Sequence, residues 1–223
     1  MVSGYTATNT DGTTTVVPAG TTASDFSQYG HQGTLSGGTT WDTTGHNSYD
    51  PGALTFNGTD GSVTAGPAPL LRTDQSYSVS AWVKLTSADQ FATVVGQEAM
   101  HTSGFQLEYD KDYNCWALEL PATDTLDPGV NVICKPGTVQ LNTWTHLVGV
   151  YNADADSAAI YINGELAATD IAPWPRWNST GSTTVGRSRW NNTETDYFPG
   201  DIDAVHIYQG VLSDNDIAYL ASS

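Results

Sequence analysis

The chain has 223 residues, 24 of them acidic and 7 basic, for a formal charge of −17. A surface of that sign repels phosphate backbones and anionic headgroups, which excludes nucleic acid and membranes as partners, and no run approaches the roughly 20 apolar residues needed to cross a bilayer. The 7 Trp, 11 Tyr and 5 Phe exclude wholesale disorder, and 19 Asp against only 5 Glu place the acids in turns rather than along helices.

Residues 1–20 are rich in Thr, Gly and Ala, with a short apolar patch at Val16 and Val17. They read as a linker or an edge strand ahead of one domain over residues 21–223. From Gly52 onward, short alternating runs recur between turn signals: ALTFNGTDGSV, YSVSAWVKL, FATVVGQ, GFQLEYD, CWALEL, WTHLVGVYN, AAIYING, TTVGR and GDIDAVHIYQG. Many strands at this spacing predict an all-β antiparallel sandwich or jelly roll. In YSVSAWVKL, Val79, Ala81 and Val83 share the core face, while Ser78, Ser80, Trp82 and Lys84 share the other, so Trp82 needs cover from a second layer or loop.

The segment from His146 to Thr169 predicts a strand, a turn over residues 152–157, a second strand, and a tight Asn163-Gly164 turn into a third. One helix is predicted near the end, capped by Ser213 with Asp216 three residues on, its Ile217 and Leu220 facing inward. Cys115 and Cys134 are the only cysteines, and no His-rich or CxxC pattern accompanies them. They read as a disulfide closing a loop of about 20 residues in an oxidising compartment, or else as two buried thiols.

The series TTASDFSQYGHQGTLSGGTTW, GALTFNGTDGSV, YSVSAWVKL, WTHLVGVYNADADSAAIYINGELAAT, VGRSRW and FPGDIDAVHIYQGVLSDNDIAYL resembles the laminin G-like, concanavalin A-like jelly rolls of secreted bacterial proteins of actinobacterial type. The resemblance runs in order from about Thr21 to Leu220. It implies a secreted, monomeric, non-catalytic accessory module that binds a polysaccharide or other glycan, holds a structural Ca2+, and serves a catalytic domain in the same parent chain, such as a glycoside hydrolase. A protein-binding adhesion module and a glycan-cleaving hydrolase or lyase are the alternatives on the same sandwich.

Calcium takes six to eight oxygens, which Asp carboxylates and loop carbonyls supply. The expected ligands are Asp25, Asp60, Asp201 and Asp203, with Asp25 joining the others if the first and last strands are neighbours, as the resemblance implies. The opening turn DFSQYG and the Asp60-Gly61 pair depart from the family pattern at this site.

Sugar rings stack on aromatic faces beside groups that bind hydroxyls. The stretch from Trp174 to Phe198 gathers Trp174, Trp177, Trp190 and Tyr197 with Arg176, Arg187 and Arg189; Trp177, Arg176, Arg189 and Trp190 are candidate ligand contacts, with packing over the sheet as the other reading. A second candidate is the face carrying Gln106, Glu108 and Asp110, otherwise a solvated outer surface. Glu108, Asp110 and Asp112 approximate the carboxylate strand of glycanases on this sandwich, without a second Glu. His101 with Tyr109 is the weaker lyase counterpart.

Overall fold

The computed structural model describes residues 6–8, 14–16, 21–25, 27–47, 52–66, 69–172 and 176–223. In chain order the strands are β1 (Thr6–Thr8), β2 (Thr14–Val16), β3 (Thr22–Ala23), β4 (Gly33–Ser36), β5 (Thr39–Asp42), β6 (Ala53–Asn57) and β7 (Ser62–Ala65). Then come the long β8 (Tyr77–Leu85), β9 (Ala92–Glu98), β10 (Ser103–Asp110), β11 (Cys115–Pro121), β12 (Val130–Cys134) and β13 (Thr145–Asn152). The last are β14 (Ser157–Ile162), β15 (Glu165–Ile171), β16 (Thr183–Val185), β17 (Ser188–Trp190), β18 (Thr193–Thr195) and β19 (Pro199–Tyr208), followed by the helix α1 (Asp214–Leu220).

Two antiparallel sheets form the sandwich. One has eight strands in the order β12-β11-β10-β9-β16-β7-β4-β3, and the other has seven in the order β15-β14-β13-β8-β19-β6-β5. The chain passes repeatedly from sheet to sheet, so strands distant in sequence lie side by side, as in β16 between β9 and β7. Val16 does lie in a strand, but β2 pairs with β1 in a two-stranded unit rather than with the sandwich edge. Val17 lies outside the described residues.

Alternation decides which side chains meet between the sheets. Val79, Ala81, Val83 and Leu85 of β8 and Leu147 of β13 face Phe105, Leu107, Tyr109, Trp116, Leu118 and Leu120 from the other sheet, all buried. Gly149 sits where the layers approach closely, since a Cβ there would lie 3.0 Å from a methyl of Leu118. The Asn163-Gly164 turn takes left-handed φ values of 52° and 83°, which that residue pair accommodates, and it joins β14 to β15 as the sequence predicts.

Trp82 on the outer face of the seven-stranded sheet is covered by loop and strand: its ring stacks on His46 at 4.7 Å and meets His146 at 5.2 Å. Helix α1 closes more of that face. Ser213 and Asp216 form the predicted capping box, and Ile217 is buried against Val148 and Val150, whereas Leu220 is only half-buried. Cys115 and Cys134 form the disulfide, tying β11 to β12 at the sheet edge.

Candidate functional site

Phe105, Leu107 and Tyr109 of β10 point into the core, so Gln106, Glu108 and Asp110 turn to the outer face of the eight-stranded sheet. That face is not a solvated surface. Gln106 is 3 % exposed, Glu108 1 % and Asp110 3 %. Glu119 of β11 stands opposite Gln106, and its carboxyl is hydrogen-bonded to those of Glu108 and Asp110. Thr93 Oγ1 donates to Glu108 Oε2 at 2.8 Å and Gln106 Nε2 donates to the same oxygen at 3.1 Å. Gln106 Oε1 is buried without a hydrogen-bond partner among the described residues.

These environments set the charge states. Burial, reinforced by the carboxylate of Asp196, pushes Glu108 up to about 8. Burial, then Glu108 and Asp110, lifts Glu119 well above the usual carboxylate range. Asp196 is also raised, by burial, against the hydrogen bonds it receives from Ser188 and Thr195.

Glu119 is the residue that sequence reasoning missed. Its signal was present in CWALEL, where alternation sets Cys115, Ala117 and Glu119 opposite Trp116, Leu118 and Leu120, but the partner strand has to be known before Glu119 joins Glu108. Asp112, expected on the same strand face, lies instead in the turn after β10, its N–H donating to Asp110 Oδ1 at 2.7 Å. Two carboxyls in hydrogen-bond contact share a proton.

The β17–β18 hairpin lies over this region. Arg187 pairs with Glu98 and, at 3.2 Å, with Glu194, while Arg189 is 3.5 Å from Glu98 and donates to the Asn192 carbonyl at 3.0 Å. Trp190 is half-buried in β17. Trp177 is half-buried too, and its indole N–H donates to the Pro121 carbonyl at 3.0 Å. Arg176 lies near Tyr77 and Tyr151, and burial lowers its pKa. Phe198 is fully buried. The Trp/Arg stretch is therefore not one patch: its described members are engaged with the β11 end, the Tyr pair, and the hairpin's own ion pairs. Trp174 lies outside the described residues. His101 sits in the β9–β10 turn bonded to Asn192, while Tyr109 faces the core and donates to Asn114, so the two do not form a catalytic pair.

Beside the hairpin's exit, a cleft of about 210 Å³ opens to solvent, lined by Gly58, Gln90, Phe91, Thr195, Asp196 and Tyr197. Gln90 braces it, donating to the carbonyls of Gly58 and Tyr197 at 3.0 and 2.7 Å. The Lys111 ammonium sits 5.5 Å from the Phe91 ring centre.

The four aspartates expected to hold calcium stand apart. β19 neighbours β8 and β6, and β3 is the far edge of the other sheet, so Asp25 does not reach Asp201 and Asp203. Asp25 accepts from Ser27 and from the His31 amide, and Asp60 accepts from Gly38 and Asn57. Asp201 pairs with Lys84 at 2.6 Å and Asp203 with His46 at 2.7 Å. Among the described residues, no three His, Cys, Asp or Glu side chains are grouped as metal ligands.

A laminin G-type model described as the concanavalin A-like lectin/glucanases superfamily matches residues 57–218. The chain belongs to that superfamily. Human pentraxin-related protein PTX3 is 24 % identical to this chain over 151 residues, covering 64 % of this chain and 38 % of its own length. The Bos taurus protein of the same name is 23 % identical over the same span. The chain thus spans little more than a third of these curated relatives.

Among solved structures, the botulinum neurotoxin serotype D binding domain superposes with a TM-score of 0.67 at 15 % identity, over 90 % of this chain and 48 % of its own. The binding domain of botulinum neurotoxin DC in complex with SialylT gives 0.68 at 18 %, with coverages of 90 % and 48 %. At such identities the likeness is one of fold. No described helix is long and apolar enough to cross a membrane.

Proposed function

We propose that the chain is a non-catalytic glycan-binding module of a secreted protein, and that it meets sugar at the cleft between Phe91 and Tyr197. The cleft carries the reading: two half-exposed aromatic rings stand beside the Asp196 carboxylate and the Thr195 hydroxyl. Rings of this kind cover the C–H faces of pyranoses while neighbouring oxygens accept from sugar hydroxyls. The toxin binding domain in complex with SialylT supports the class of ligand, and the disulfide supports an oxidising compartment.

The lining of the cleft and the charge of −17 favour a neutral glycan over an acidic one. Calcium has no assembled ligand set among the described residues and forms no part of this reading. A catalytic domain in the same parent chain is the partner such a module serves.

A glycan array tests the proposal. The wild-type chain is expected to bind a subset of neutral glycans, and Phe91→Ala and Tyr197→Ala to lose that binding by about tenfold or more each, in the range of a lost aromatic contact, with unchanged circular dichroism. Full binding by both folded variants would place the sugar elsewhere. Binding to no glycan, with capture of a protein ligand, would favour the adhesion alternative.

A further inference from the structure

Glu108, Asp110, Glu119 and Asp196 bring four carboxyl groups together under the β17–β18 hairpin. Glu108 and Asp110 come from β10, Glu119 from β11, and Asp196 from the segment leaving β18. Lys111 is the basic side chain that acts on Asp196. The cations at the hairpin itself, Arg187 and Arg189, are committed to Glu98 and Glu194. Glu108 and Glu119, so buried and so close, cannot both be ionised, because each charge would lose its water without gaining a counter-ion.

The same group holds the hairpin down. The Thr93 amide of β9 donates to the Asp196 carbonyl at 2.8 Å while the Thr93 hydroxyl donates to Glu108. Ser188 of β17 donates to Asp196 Oδ2 at 3.0 Å, and the Arg189 amide donates to Ser103 Oγ of β10 at 3.0 Å. Repulsion between Glu108 and Asp196 therefore acts directly on the seam between hairpin and sheet.

We propose that the Glu108–Glu119 pair, with Asp196 above it, is a proton-held latch: while the pair keeps its proton the hairpin lies closed on β9 and β10, and loss of the proton in alkaline solution loosens it. The sign follows from linkage. A carboxyl whose pKa is higher folded than unfolded lends its full stability below about 4.5, loses it progressively as the pH rises, and has lost it all above about 8. No ligand is needed for this behaviour, which does not rest on the glycan reading even though Asp196 also lines the cleft.

The test compares the intact protein with Glu108→Gln, whose neutral amide mimics the protonated acid. The melting temperature of Glu108→Gln relative to wild type is expected to climb steadily between pH 5 and pH 8, by several degrees, roughly the shift such linkage gives in a domain of this size. At pH 8.5 the Thr93 amide should exchange with solvent about tenfold faster in wild type than in Glu108→Gln, whereas at pH 5 the two should match. Carbon-13 titration of the Glu side-chain carboxyls in wild type, which requires no variant to fold, should find two with midpoints far above 4.5.

Glutamate midpoints all near 4.5, or melting curves of variant and wild type that stay parallel across pH, would overturn the shared proton. A raised midpoint with Thr93 exchange equal in both proteins at pH 8.5 would overturn the latch.

Discussion

Glu98 lets Arg187 stay buried, and it does so at the end of β9, where the hairpin crosses the sheet. The Arg187 side chain is 7 % exposed and that of Glu98 is 12 %, so neither charge is compensated by water. Removing one member of such a pair leaves the other charge buried and alone. Glu98→Gln is therefore expected to destabilise the fold by about 3 to 5 kcal/mol, as measured by urea unfolding, and a change below about 1 kcal/mol would mean that Glu194 alone satisfies the arginine. The sequence displays the Arg cluster but not its counter-ion, because Glu98 is 89 residues away from Arg187. Trp177 illustrates the same limit. Nothing in the neighbouring sequence reveals its bond to the Pro121 carbonyl, which draws it half under the end of β11.

At the scale of elements, local chemistry was largely legible. The alternation in YSVSAWVKL named the core side of β8 and the need for cover over Trp82, and the Asn-Gly pair named the β14–β15 turn. Helix α1 was legible through its cap: Ser213 accepts from the Asp216 amide at 3.2 Å while the Asp216 side chain takes the Ser213 amide. Ser213→Ala should cost about 1 kcal/mol, seen as a lower urea midpoint, with Ser213→Gly costing less; an unchanged midpoint in Ser213→Ala would show that the cap contributes nothing.

What escaped was pairing between distant strands. Asp201 and Asp203 do alternate along β19 as read, but the pairing of β19 with β8 sets Lys84 against Asp201, and the loop after β5 sets His46 against Asp203, while Asp25 lies at the far edge of the other sheet. Glu119 was hidden for the same reason, since nothing local reveals that it faces Gln106.

For the whole molecule, the acidic balance and the two sheets act together. The sandwich buries one face of each sheet against the other, and α1, the loop at His46 and the β17–β18 hairpin cover part of the outer faces, while the cleft at Phe91 and Tyr197 stays open to solvent. The fold class and the disulfide were readable from composition, alternation and the cysteine pair. The cleft was not, because it is made by segments far apart in the chain, here Gly58, Phe91 and Tyr197.

The most direct measurement of a sugar-binding, non-catalytic role is affinity electrophoresis of the intact chain through gels containing a series of neutral polysaccharides, each then assayed for new reducing ends. Retardation by at least one polysaccharide, with no reducing ends released, is the expected result. Unretarded migration of folded protein in every gel would contradict binding, and release of reducing ends from a retarding polysaccharide would contradict the absence of catalysis.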